Sequence, residues 1–236
     1  MLDKPASKPD LKYRPSRQLL PTRTMHAGSQ VIRIFDREKA LTAGYNALTF
    51  NPHLVEDLPT MPGRYSARRS GLTCDRYSYL YLAEHLLDER VAFLECVNIL
   101  ALSRIDSGER ILDYSMIKNL AFAYATCTRN LTLLDISNRP NADFFKANFE
   151  DLQGVDYHLT RRWGRYFKRL APDIDGFYYC PVKFGNSSCG GNIILFAPHG
   201  SDGDHVQLSS IVPFDSQAGL ARLLSLARSM NMLLMQ

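Results

Sequence analysis

The sequence predicts an α+β fold in a single domain, and three observations carry that expectation. Strand-like and helix-like segments are interspersed without the regular strand–helix–strand spacing of a doubly wound sheet. No internal repeat and no Gly/Ser linker breaks the chain beyond its first 24 residues. The 236 residues are 45% hydrophobic and 22% charged, a balance that supports a sizeable core without disulfide or metal staples.

The chain opens on a basic, proline-rich stretch. Residues 1–24 hold six Lys or Arg against two Asp and four of the twelve prolines. Their net charge of +4 equals that of the whole chain, so the rest is neutral overall. With few apolar residues and no secretory-type apolar run, this stretch is expected to be a disordered or loosely draped tail, leaving 25–236 as the folded body. A neutral body argues against a nucleic-acid-binding surface. No window approaches the roughly 18–20 apolar residues that a membrane helix requires, so a soluble protein is expected. The five cysteines are odd in number and contain no CxxC pair, which suits a reducing cytoplasm better than a disulfide framework or a zinc site.

Along the body, Val31 to Phe35 reads as a strand interrupted by Arg33, and Ser78 to Ala83 as a short β-prone run. Leu86 to Leu102 and Met116 to Cys127 read as helices, then Leu131 to Ile136 as a strand. His158 to Leu170 is an amphipathic helix with Leu159, Trp163, Phe167 and Leu170 on one face, and its five Lys or Arg read as a solvated surface. Gly176 to Val182 and Asn192 to Ala197 are strands joined by the Gly/Ser-rich run 185–191, expected as a hairpin connection. Gln217 to Met230 is the last helix.

Several chemistries are excluded by direct search. The sequence has no GxxxxGK[ST] phosphate loop, GxGxxG turn, GxSxG elbow or HExxH helix. The six histidines never fall in ligand-like pairs, and Ser201–Asp204 lacks the further ligands of a calcium loop, so no metal is expected. What remains is a set of polar residues where the pattern expects apolar ones. Arg33 interrupts a strand, Gly63-Arg64-Tyr65 follows a Met-Pro turn, Tyr81 stands in an aromatic strand, and Glu95 lies inside Val91–Val97. Each alone has a structural reading, a salt bridge or a core aromatic. A carboxylate in such a run, if buried, must be partnered or functional.

Taken in order, these residues resemble the RES family, whose members include NAD-consuming toxins of bacterial toxin–antitoxin modules. The resemblance runs through Val31–Phe35, Gly63–Tyr65, Tyr81–Glu84, Ala92–Glu95, Asp175–Tyr179 and Asn192–Phe196. It implies a split β-sheet similar to that of ADP-ribosyltransferases, flanked by helices, acting on NAD as substrate. Carried over by position, Glu95 is the catalytic carboxylate, Arg64 and Tyr81 assist catalysis and hold NAD, Tyr65 and Cys180 contribute to the NAD site, and Arg33 faces a phosphate or ribose. The family's Ser falls at Pro181, which has no hydroxyl, so Cys180 or a loop serine (Ser187, Ser188) substitutes or the activity is altered. The resemblance also implies an Xre-type antitoxin as partner.

The chemistry is coherent with those residue types. Breaking the nicotinamide–ribose bond creates an oxocarbenium-like centre and a neutral leaving group, so one carboxylate suffices. Arginine binds two oxygens of a pyrophosphate at once. A tyrosine stacks on the nicotinamide, holding it twisted at the expense of remote binding energy. Two rival readings stay open: a catalytically degenerate RES-like binding module, motivated by Pro181, and an RNA-associated protein using the tail and the basic helix.

Overall fold

The computed structural model describes residues 9–10, 12–50, 77–85, 89–97, 102–104, 110–153, 157–180, 191–198 and 203–235. Its main sheet begins with an aromatic strand, β3 (Tyr77–Glu84), which pairs antiparallel with β9 (Asn192–Pro198) over seven residues. Outward from β9 follow β8 (Gly176–Tyr179), β7 (Leu131–Asp135) and the edge strand β1 (Thr22–Met25). On the other side of β3 lie β2 (Gln30–Asp36), β6 (Leu120–Cys127) and the opposite edge, β10 (Val206–Pro213). The pairings are antiparallel except for β7 with β8. A small second sheet joins β4 (Leu102–Arg104), β5 (Arg110–Asp113) and β11 (Met232–Met235).

Side chains alternate across each strand, and the alternation sorts the main sheet into two faces. One face carries Leu80, Leu82, Tyr178, Ile193, Leu195, Leu133 and Val31 in a single cluster. The opposite face carries two clusters. In the first, α3 (Arg139–Phe144), α4 (Phe149–Gln153) and α5 (Tyr157–Leu170) cover Phe177, Tyr179, Ile194 and Phe196. In the second, α2 (Arg90–Val97) and α6 (Gln217–Ser229) cover Ile32, Ile34, Ala83 and Phe122. Gly176 is required for the close β8–β9 approach, because a Cβ there would lie 2.0 Å from the Ile194 carbonyl oxygen. After β2, α1 (Arg37–Ala43) is capped by the Asp36 side chain, which accepts from Lys39 N, and ends at Gly44 in the left-handed conformation.

Three expectations are corrected. The segment expected as a helix over Met116–Cys127 folds from Leu120 onward as β6, at the heart of one half of the sheet. Leu120-Ala-Phe-Ala-Tyr-Ala alternates large and small residues, a period of two that suits a strand buried on both faces and overrides the helix propensity of alanine. The expected long helix over 86–102 is shorter: α2 ends at Val97, and Leu102 already belongs to β4. The third correction concerns the basic tail, whose second half is packed. Leu20 is buried, Tyr13 donates to the Phe144 carbonyl and accepts from Tyr166 through its own carbonyl, and β1 pairs with β7. These contacts satisfy backbone and bury apolar surface that composition averaging over 24 residues conceals.

Strands β2, β3, β7 and β9 and helices α5 and α6 form within a residue or two of the expected bounds. β8 spans Gly176–Tyr179 of the strand expected over Gly176–Val182, and β1, β4, β5, β10 and β11 have no counterpart among the expected strands. On α5, Trp163 and Phe167 are fully buried, while Arg162 and Arg169 are exposed. Lys168, expected on the solvated surface, is instead buried, and donates to the carbonyls of Pro172 and Ile174 beyond the helix end. The expected hairpin connection at 185–191 lies outside the described residues up to Gly191; β8 and β9, which it links, are antiparallel neighbours.

Candidate functional site

The strands β2 and β3 are joined by only two residue pairs, Val31 with Glu84 and Ile32 with Ala83. From there they part, β2 continuing along β6 and β3 along β9, so the eight-stranded sheet is split between two halves. Helix α2 bridges that seam: Val91, Ala92 and Phe93 pack with Ile32 and Ile34 of one half and Ala83 of the other.

An ionic and hydrogen-bonded cluster fixes the start of α2. Glu89, just before the helix, accepts from the Tyr124 hydroxyl at 2.7 Å and from Arg222 Nη1 at 2.6 Å. Burial first, and then the Glu89 carboxylate, push the Tyr124 hydroxyl well above its ordinary pKa, so it stays a proton donor. This ties α2 to β6 and α6. Nothing local in the sequence signals it, since Glu89 and Arg222 lie 133 positions apart.

The anticipated site residues distribute around the seam as follows. Tyr81 lies on the face that α2 and α5 cover; it packs against the α5 cluster and its hydroxyl is buried. Glu95 lies in the last turn of α2, on the helix that bridges the seam, and its side chain is outside the described residues. Arg33 has the parity of Val31 and therefore points to the face opposite Tyr81. Its Nη1 donates to the carbonyls of Ala47 at 2.9 Å and Thr49 at 3.3 Å, pinning the segment after α1. Cys180 directly follows β8 and is a half-buried thiol. Arg64 and Tyr65 lie outside the described residues, as do Pro181, Ser187 and Ser188. The structure thus groups Tyr81 with the helix of Glu95 on one face and sets Arg33 on the other.

Two further polar side chains lie at this seam. On the Arg33 face, Glu84 is 8% exposed. A single Arg23 Nη2 spans its two carboxylate oxygens at 2.9 and 3.2 Å, and the Tyr178 hydroxyl donates to it at 2.6 Å. The Arg23 guanidinium lies 4.2 Å from the centre of the Tyr178 ring. Burial, reinforced by Glu84, raises the Tyr178 pKa far above the usual range. On the Tyr81 face, Asn192 pairs with both Ala83 and Tyr179 and is 3% exposed. The Asp175 that opens the next matched element is structural: it accepts from Arg129 Nη2 and from Thr132 N, both at 2.7 Å, locking β7 to β8. Among the described residues no group of three or more His, Cys, Asp or Glu side chains is placed to hold a metal ion. Nor is any helix among them long and apolar enough to cross a membrane.

No family model matches the chain, and no curated protein matches it. Among solved structures, the fold is similar to that of a chain in the crystal structure of the Mycobacterium tuberculosis MbcT–MbcA toxin–antitoxin complex. The TM-score is 0.50 at 15% sequence identity, over 80% of this chain and 86% of that one. At that identity the likeness is one of fold, and it bears out the expected α+β architecture with a split sheet flanked by helices.

Proposed function

We propose that this chain is a toxin-type enzyme that consumes NAD by breaking its nicotinamide–ribose bond, and that an antitoxin protein is its partner. The observation that carries the reading is the split between β2 and β3, bridged by the helix that bears Glu95, in a fold similar to a chain of a toxin–antitoxin complex. Tyr81 on the same face supplies an aromatic surface for the nicotinamide ring.

In the reaction the carbon–nitrogen bond breaks with its electron pair leaving on nicotinamide, which departs neutral. An oxygen nucleophile forms the new bond to the ribose carbon. Water yields ADP-ribose and a proton, phosphate yields the ribosyl phosphate, and a protein side chain accepts the whole ADP-ribosyl group. The Glu95 carboxylate stabilises the positive charge that develops on the ribose. Arg64, Tyr65 and Cys180 take the NAD-binding roles that the family resemblance implies. Arg33 acts through the backbone it holds: its grip on the Ala47 and Thr49 carbonyls fixes the segment after α1.

The test is incubation of the purified protein with NAD, with and without phosphate and with cell extract, followed by chromatography of released nicotinamide and detection of ADP-ribosylated protein. Turnover by the wild type and a loss of about 100-fold or more in Glu95→Gln at unchanged Tm is the expected result. Intact NAD with no modified protein overturns the reading, and unchanged turnover in Glu95→Gln removes that residue from its role.

A further inference from the structure

Asn192 is a polar side chain at the seam, opening a segment that the family resemblance matches without giving this residue a role. It opens β9, between Ala83 of the α2 cluster and Tyr179 of the α5 cluster, where the two helical covers of this face meet. Although 97% of its surface is removed from solvent, its Nδ2 has no hydrogen-bond partner among the described residues. Native proteins pair nearly all buried polar groups, so an orphaned amide donor in this position points to an acceptor supplied from outside the chain. Ile194, two residues on, stands opposite Tyr81, so Asn192 is the diagonal neighbour of Tyr81 on the same face, with Cβ atoms about 7–8 Å apart. Ala83, the residue directly opposite Asn192, is small.

Resting on the NAD reading above, we infer that Asn192 recognises the carboxamide of the nicotinamide ring. Its Nδ2 donates to the carboxamide oxygen while the ring lies against Tyr81. Asn192 is thus a binding residue specific for the amide, and it requires no ionisation.

The experiment compares thermal shifts of wild type, Asn192→Leu and Asn192→Ala with NAD, nicotinamide and the thionicotinamide analogue of NAD, whose sulfur is a weak acceptor. Without ligand, Asn192→Leu should melt at or above the wild-type temperature, because an isosteric apolar side chain removes an unsatisfied donor. With NAD, wild type should be stabilised and should prefer NAD to the thio analogue. Both variants should bind NAD about tenfold more weakly and lose that preference, the Ala variant serving if the Leu variant fails to fold. Equal binding and equal preference in the variants overturn the role of Asn192 and leave the NAD reading standing. A wild type that responds to none of the three ligands overturns both.

Discussion

Glu84 and Asn192 are buried polar residues that sit near one another along the same seam, on opposite faces of one sheet, and they differ in how they are satisfied. Glu84 receives Arg23 on both oxygens and the Tyr178 hydroxyl, so its charge is compensated within the chain. Asn192 carries no charge but has an amide nitrogen without an acceptor among the described residues. The difference separates a structural device from a ligand-facing one: the carboxylate holds the N-terminal edge strand onto the sheet, and the amide stands ready for something the chain does not contain.

The comparison breaks first at Glu84. Glu84→Ala leaves the Tyr178 hydroxyl and one guanidinium face without their acceptor, and should cost about 3 kcal/mol in urea unfolding. That figure is the lower end for a broken buried pair, since the Arg23 side chain is 40% exposed and rehydrates. Removing only the hydroxyl, in Tyr178→Phe, should cost about 2 kcal/mol, the worth of a hydrogen bond to a charged acceptor. Equal stability of either variant with wild type would show that the cluster holds nothing. On the other face the sign reverses: Asn192→Leu should gain about 1 kcal/mol in the same measurement.

Lys168 sharpens the contrast as an intermediate case, buried and hydrogen-bonded to two carbonyls but not neutralised by them. Burial pulls its pKa down to about 8, against a weaker opposing effect of Asp175. A lysine whose pKa is depressed on folding binds fewer protons in the folded than in the unfolded state between that value and its ordinary one. The resulting penalty is full below pH 8 and lifts as pH rises. Wild type should therefore gain about 1 kcal/mol relative to Lys168→Met between pH 8 and pH 9. A pH-independent difference between the two proteins would contradict the depressed pKa.

Much of the fold is legible in the sequence where side chains alternate in polarity. Val31–Phe35, Leu131–Ile136 and Asn192–Ala197 read as strands because charged or turn-forming residues bound or punctuate them. β6 does not, because its alternation over Leu120–Ala125 is of size rather than polarity. β1 was hidden by its basic surroundings; only the long-range partner Glu84, 61 positions away, explains why Arg23 belongs to the body.

The candidate site is legible in part for a related reason. Arg33, Tyr81 and Glu95 stand out locally, but a residue-type pattern carries no face, and only the β2–β3 register reveals that Arg33 and Tyr81 point opposite ways. Asn192 reads from sequence as an ordinary turn residue at a strand start. Its significance depends on the absence of a partner, which is visible only in three dimensions.

The central claim is that NAD binds on the Tyr81 face of the seam, and native-state hydrogen exchange with and without NAD tests it most directly. Slower exchange is expected in β3, the start of β9 and α2, together with residues 63–65 and Cys180, while the β4–β5–β11 sheet is unchanged. No protection of β3 and the start of β9 with saturating NAD, or protection centred on the β4–β5–β11 sheet, would overturn it.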